Sequence, residues 1–114
     1  MKVLVCGSRN WRDPDLIYNR LARLPRGTTV MHGSARGADR QAAAYARALG
    51  LTVEGYPADW EALGRRAGIV RNLQMLDEKP DLVLAFWDGE SKGTWHAICA
   101  ARERLIPVEV VVPT

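Results

Sequence analysis

The sequence predicts an α/β domain: a Rossmann-like, mainly parallel, five-stranded sheet sandwiched between two layers of helices, with strand order 3-2-1-4-5. Three observations predict it. Short continuous apolar runs, as strands buried on both faces require, alternate with segments whose apolar residues recur at helical spacing. The 114 residues, 47% hydrophobic and 25% charged, suit one domain with its own core, so residues 1–114 are read as a single domain. No internal repeat, linker or low-complexity tract breaks the alternation, and right-handed crossovers then place helices on both faces.

Each element follows from local signals. Val3-Leu-Val-Cys6 is an apolar run stopped by Gly7 and makes the first strand. Asp13-Pro14 opens a helix with proline just inside; Leu16, Ile17, Leu21 and Leu24 give it an apolar face, and Pro25-Arg-Gly27 ends it. Thr28 to His32 is a β-branched second strand ending at Gly33, and a helix from about Gly37 to Leu49 follows, with Gly50 just past its end. Leu51 to Tyr56 is a third, weaker strand closed by Pro57. A helix around Leu63 to Leu76 is entered through Asp59-Trp60-Glu61. Asp81 to Phe86, Gly93 to Leu105 and Pro107 to Val112 complete the series as strand, helix and strand.

Charge and cysteine usage bound the function. Sixteen Lys and Arg against thirteen Asp and Glu leave a net charge of +3, which permits a polyanionic partner without requiring one. Lys2, Lys79 and Lys92 are the lysines; the remaining basic residues are arginines, whose planar fork suits phosphate and carboxylate. A GC-rich coding sequence would favour arginine as well, so only arginines inside motifs carry weight. Cys6 and Cys99 lie far apart, with no CxxC and no histidine at ligand spacing, and read as small buried hydrophobes. No metal and no cofactor is implied. The N-terminus lacks a signal-peptide core and no segment is long and apolar enough for a membrane helix, so the expected location is the cytoplasm.

In doubly wound sheets ligands sit beyond the carboxyl ends of the strands where strand order reverses. There this chain places Gly7-Ser8-Arg9-Asn10 after strand one, and His32-Gly33-Ser34-Ala35-Arg36-Gly37-Ala38-Asp39 after strand two. Asp88-Gly89-Glu90-Ser91-Lys92-Gly93-Thr94 follows strand four. With order 3-2-1-4-5 these loops line one crevice. Glycines admit an oxyanion close to the backbone, helix starts at Gly37 and Gly93-Thr94 offer free N–H groups, and Ser8, Arg9, Arg36, Lys92 and Thr94 add donors. Any single glycine here could be a turn residue with positive φ; three converging loops favour an anion site. No GxxxxGK[ST] and no GxGxxG occurs, which disfavours a P-loop NTPase and an ordinary NAD dehydrogenase.

Individual residues admit two roles. Asp39 could cap its helix or hold a ribose hydroxyl, and His32 could be a packed histidine or a catalytic one. The stretch from Asp59 to Met75 is polar for a crossover helix; Arg71 and Asn72 share it with core residues, while Arg65 and Arg66 read as a solvated face. Trp11, Trp60, Trp87 and Trp95 each flank a candidate loop, where an indole either stacks on a base or anchors the core.

Met1-Lys-Val-Leu-Val-Cys-Gly-Ser-Arg9, His32-Gly-Ser-Ala-Arg-Gly-Ala-Asp39, Pro57-Ala-Asp-Trp60, Ala67-Gly-Ile-Val-Arg-Asn-Leu-Gln-Met75 and Gly93-Thr-Trp-His96 together resemble the YspA-like branch of the SLOG superfamily, relatives of Smf/DprA and LOG proteins. The resemblance covers nearly the whole chain and implies a Rossmann-like fold with a nucleotide pocket at the strand ends. Carried over by position, it implies ligand contacts from Gly7, Ser8, Arg9, Gly33, Ser34, Arg36, Gly37, Asp39, Arg71, Asn72, Gly93 and Thr94. To these the reading of the loops adds Trp11, His32, Asp59, Trp60, Gly89, Ser91 and Lys92. Relatives of this branch are often bacterial or phage-borne. One departure matters: LOG-type hydrolases carry a glutamate three residues after the threonine of their Gly-Thr, and Ala97 stands there in this chain. An alanine cannot assist at an oxocarbenium-like centre, so hydrolysis would need Arg71 with Asp39, Asp59 or Glu90 in its place.

The resemblance and the residues together lead to a protein that binds a nucleotide or nucleotide-derived ligand, a nucleoside monophosphate or ADP-ribose-like molecule, as a sensor or sequestering protein. An N-glycosidase releasing a base from a nucleotide is the alternative. Single-stranded nucleic-acid binding of the DprA type ranks third, because the arginines are scattered over several elements. A homodimer or higher oligomer is expected, since the superfamily often pairs subunits around the crevice.

Overall fold

The computed structural model of the chain describes residues 1–34 and 37–113. Its strands are β1 (Lys2–Gly7), β2 (Thr29–His32), β3 (Thr52–Gly55), β4 (Leu82–Phe86) and β5 (Val108–Val111). The helices are α1 (Pro14–Leu21), α2 (Ala38–Ala48), α3 (Trp60–Leu63), α4 (Ala67–Asp77) and α5 (Lys92–Glu103), with a 3₁₀ turn at Gly64–Arg66 between α3 and α4. The sheet order is β3-β2-β1-β4-β5. All four pairings are parallel, with Val3 opposite Val30 on one side and Leu82 on the other. The fold is thus the α/β, Rossmann-like one that the alternation predicts, and its sheet is wholly parallel.

The three layers follow from the period of two along buried strands. Val3 and Val5 of β1, with Val30, Leu84 and Phe86, face one apolar cluster completed by Ile17 and Leu21 of α1 and Ala38, Ala42 and Ala46 of α2. Leu4 and Cys6 face the opposite cluster, with Met31, Val83 and Ala85, covered by Met75 and Leu76 of α4 and Ala97, Ile98 and Ala101 of α5. Full burial of each Leu, Ile, Val or Phe side chain stabilises by roughly 1.5–3 kcal/mol, so these two clusters hold the sandwich. Strand order reverses between β1 and β4, where the crossovers change face.

The sheet edges carry charge. On β5, Glu109 takes a bidentate pair from Arg20 of α1, at 2.6 and 3.0 Å; on β3, Glu54 accepts the Tyr56 hydroxyl at 3.1 Å. Charged groups on an edge oppose pairing with another chain. Among the described residues no helix is long and apolar enough to cross a membrane.

The third crossover departs from the sequence reading. In place of one helix from about Leu63 to Leu76, a single turn over Trp60–Leu63 is capped by Asp59, whose Oδ1 accepts the Ala62 N–H at 3.1 Å. It stops at Gly64, with φ +56, and α4 begins only at Ala67. A left-handed glycine ends a helix because no Cβ opposes that conformation, and periodicity alone does not reveal it. Helix α1 is also shorter than its apolar pattern: beyond Leu21 the chain tightens into i to i−3 bonds, Arg23 N to Arg20 O and Leu24 N to Leu21 O.

Two glycines fix how closely the layers meet at the carboxyl end of β1. A Cβ on Gly7 would lie 2.5 Å from the Ala38 Cβ and 2.8 Å from the Phe86 carbonyl oxygen. Gly37 has φ +77, and a Cβ there would fall 2.3 Å from the Arg9 carbonyl oxygen and 2.5 Å from that of Ser8. Backbone cannot yield as a flexible side chain can. Gly37→Ala should therefore lose about 3 kcal/mol or more of stability. Gly50→Ala, at φ +78 with nothing within 4 Å, should lose only about 1–2 kcal/mol. Urea unfolding of the two variants measures the contrast, and equal losses would contradict it.

Candidate functional site

The loop after β1 is tied into its neighbours by Ser8. Its N–H donates to the Phe86 carbonyl at 3.0 Å, its carbonyl accepts from Trp11 N and Ala38 N, and its hydroxyl accepts the Asp88 N–H at 3.0 Å. Ser8 is wholly buried. One residue thus joins β1, the loop after β4 and the start of α2, and Arg9 and Asn10 are carried outward beyond it, exposed.

After β2, Asp39 is buried and its Oδ2 accepts the Gly33 N–H at 2.9 Å. Above this loop lies Arg71, from the second turn of α4. Its Nη1 donates to the Gly33 carbonyl and its Nε to Asn72 Oδ1 at 3.1 Å. Gly33 has the guanidinium resting directly on its Cα: a Cβ would come within 2.5 Å of Nη1 and 2.7 Å of Cζ. Burial draws the Arg71 pKa down, Asp39 opposes that fall and Arg9 adds to it, but a guanidinium remains charged. Asn72 in turn donates to the Gly93 carbonyl at 3.3 Å, linking α4 to the first turn of α5.

After β4, Asp88 organises the loop. Its Oδ1 accepts the N–H groups of Glu90 at 2.8 Å and Ser91 at 3.0 Å, and those two bonds hold its carboxyl below the ordinary value. Ser91 caps α5, accepting the Thr94 N–H at 3.3 Å, while Lys92 and Gly93 begin the helix, where N–H groups lack intrahelical acceptors.

These loops enclose two adjoining cavities. The larger, about 500 Å³, is walled by residues that include Gly7, Arg9, Asp39, Trp60, Arg71, Asn72, Glu90, Ser91, Gly93 and Thr94. The smaller, about 310 Å³, is walled by Arg9, Gly33, Ser34, Arg40, Pro57, Ala58, Trp60 and Arg71. Arg9, Trp60 and Arg71 belong to both and form the waist between them. Trp60 is 52% exposed there, an indole face open to solvent.

Several predicted site residues stand elsewhere. Trp11 belongs to the core: it packs edge-on against Phe86 at 5.6 Å and donates to the Asp13 carbonyl, because the chain turns inward after Asn10. Ser8 and Gly37 shape the backbone and line neither cavity, and Asp59 is the cap of α3. Gly89 and Lys92 are exposed off both walls. Arg36 lies outside the described residues. Trp87 and Trp95 stack on each other at 5.0 Å. Ala97 is buried in the apolar cluster under α5.

Other wall residues had not been singled out. Arg65, read as part of a solvated face, lines the larger cavity, because the break at Gly64 carries it there. Cys6 lies at the end of the buried strand and also borders this cavity; burial and then Asp39 push its thiol pKa far up, so it stays protonated. Asp88 and Arg40 were missed as well. An Asp-Gly-x-Ser turn is a visible signal for the former, and the first-turn position beside Asp39 is one for the latter. Among the described residues no group of three or more His, Cys, Asp or Glu is arranged to hold a metal ion.

Residues 1–63 match the model of the YspA, cpYpsA-related SLOG family. The Gene 61 protein of Mycobacterium phage D29 is 40% identical over 116 residues, spanning 94% of this chain and 93% of that protein. The structure of UDP-GlcNAc 2-epimerase from Neisseria meningitidis bound to UDP-GlcNAc superposes with a TM-score of 0.58 at 21% identity. That alignment takes in 97% of this chain but 32% of the epimerase. The chain therefore spans about a third of that enzyme's length, and the likeness is one of fold.

His32, expected at the site, lines neither cavity and instead gives the stability of the fold a pH dependence. It is buried, and its Nδ1 accepts the Ser34 N–H at 3.0 Å. Burial first, then Arg47 and Arg71, lower its pKa below the ordinary 6.5. The unfolded chain therefore takes up this proton at higher pH than the folded chain does. The stability that His32 contributes is whole above 6.5 and is lost as the pH falls toward the folded value. Unfolding free energy should fall as the pH drops below about 6.5. His32→Asn, whose amide oxygen can replace Nδ1 as acceptor, should flatten that limb; an unchanged slope would contradict the assignment.

Proposed function

The chain belongs to the YspA, cpYpsA-related SLOG family, and from that premise we propose that its crevice binds a nucleotide or nucleotide-derived ligand, a nucleoside monophosphate or an ADP-ribose-like molecule, as a sensor or sequestering protein. The observation that carries the reading is the waist, where two guanidiniums and an open indole face meet where strand order reverses. Arg9 and Arg71 offer a phosphate two charged donors, and Arg71 is fixed in advance by Gly33 and Asn72, so little entropy is lost on engagement. Trp60 supplies a stacking surface for a base. The larger cavity adds Asp39, Asp88 and Glu90 to its arginines, and such a mixed wall suits ribose hydroxyls and amino groups beside an anion. The epimerase that shares this fold was solved with the nucleotide sugar UDP-GlcNAc, which agrees with a ligand of this class.

A second reading, N-glycosidic hydrolysis, is favoured by one residue. Glu90 borders the larger cavity, and its carboxylate has no hydrogen bond or ion pair among the described residues. A carboxylate so placed could act at a glycosidic carbon in the role that Ala97 cannot fill. Asp39 is engaged by the Gly33 N–H, and Asp59 lies off the walls, so Glu90 is the acid of this reading.

Thermal unfolding with nucleoside monophosphates, NAD and ADP-ribose tests binding. At a concentration about a hundred times Kd a bound ligand should add about 2.7 kcal/mol, a rise in Tm of several degrees. Arg71→Ala should abolish the rise. Gly33→Ala, whose Cβ meets the Arg71 guanidinium first, should weaken it about tenfold or more in Kd while stability changes by about 1 kcal/mol or less. No shift with any compound would overturn the proposal. Free base released by the native protein and lost in Glu90→Gln would establish the hydrolytic reading instead.

A further inference from the structure

The smaller cavity differs in kind from the larger one. Arg9, Arg40 and Arg71 stand on its wall and, among the described residues, no carboxylate does, whereas the larger cavity sets Asp39, Asp88 and Glu90 against its arginines. Among the described residues neither Arg9 nor Arg40 has an ion pair or a side-chain hydrogen bond. Arg40 belongs to the smaller cavity alone, on the first turn of α2, exposed to solvent.

Ser34 adds a hydroxyl to this wall, and His32, which lines neither cavity, lies next to it. Ser34 is on the wall, held at φ +60, a conformation that a serine rarely adopts. Beside it, His32 uses Nδ1 to accept the Ser34 N–H, so Nε2 carries the proton of the neutral ring. That Nε2 is buried and has no hydrogen-bond partner. Ser34 Oγ and His32 Nε2 converge on Gly55, where a Cβ would lie 3.1 and 3.3 Å from them. Three arginines on a wall that carries no carboxylate among the described residues form a site for an anion, not for a neutral sugar or a base.

We propose that the ligand is a small nucleotide with a second anionic group, and that Arg40 receives this group in the smaller cavity while Arg9 and Arg71 hold the first phosphate at the waist. The inference rests on the nucleotide-binding reading and narrows its ligand class. A mononucleotide with one phosphate fills the waist and the larger cavity and leaves Arg40 unused. A second phosphate, on the ribose or further along a polyphosphate chain, reaches it.

Isothermal titration calorimetry at one fixed ionic strength tests this with AMP, adenosine 3′,5′-bisphosphate, ATP and the dinucleotide pApA, on the native protein, R40Q and R40K. At least one of the bisphosphate and ATP should bind native protein about tenfold or more tighter than AMP. R40Q should remove most of that gain while its AMP affinity and Tm match the native values, and R40K, which keeps the charge, should retain part of it. If AMP binds but neither small two-anion compound binds tighter, or if the gain survives R40Q, the proposal is overturned while the nucleotide reading stands. A gain confined to pApA overturns the assignment to a small nucleotide and points to an oligonucleotide. If nothing binds, AMP included, the nucleotide reading fails and this proposal with it.

Discussion

The carboxyl end of β1 is where backbone passes backbone with no room for a side chain. Gly7 lies under Ala38 and beside the Phe86 carbonyl, and Gly37 lies against the carbonyls of Ser8 and Arg9. Between them Ser8 spends its N–H, its carbonyl and its hydroxyl on three different segments. This contact seats α2 against the central strand and sets the height of the loop after β4. Arg9 and the first turns of α2 and α5 can only then face one crevice. Loosening it would not remove one ligand contact; it would separate the three loops whose convergence makes the site.

Built on that contact, the crevice is a division of labour between fixed and free charges. Arg71 is held from below by the Gly33 carbonyl and from the side by Asn72, which itself reaches Gly93 across to α5. Asp88 is consumed by loop N–H groups and Asp39 by Gly33. Arg9 and Arg40 carry no such ties among the described residues. Preorganised groups set the geometry and untied ones remain to meet a ligand, an arrangement that binds anions at low entropic cost. Trp60 reaches this crevice because Gly64 breaks the third crossover, which turns α3 into a short platform over the cavities.

The strands and their order were legible because buried parallel strands must be continuous apolar runs, and Val3-Leu-Val-Cys6 and Leu82-Val-Leu-Ala-Phe86 are such runs. The placing of the three loops followed from the doubly wound order without any contact being known. What stayed hidden depended on direction and on φ. Trp11 beside a glycine loop reads the same whether its indole turns outward to a ligand or inward to Phe86. Ser8 resembles a phosphate donor until its partners are counted. Leu63 to Leu76 keeps helical spacing through a break that only the positive φ of Gly64 creates, and that break is what moves Arg65 from a solvated face to the cavity wall. Arg40 follows Asp39 in sequence, and its unopposed charge emerges only once the carboxylates are seen to cluster in the other cavity.

Native mass spectrometry of the protein incubated with a panel of nucleotides tests the central claim most directly, since it weighs whatever stays in the crevice. The account predicts a stoichiometric adduct whose mass is that of an intact nucleotide or nucleotide derivative, absent when Arg71 is replaced by alanine. The bare protein mass with every compound, or an adduct that persists without the Arg71 guanidinium, would contradict it.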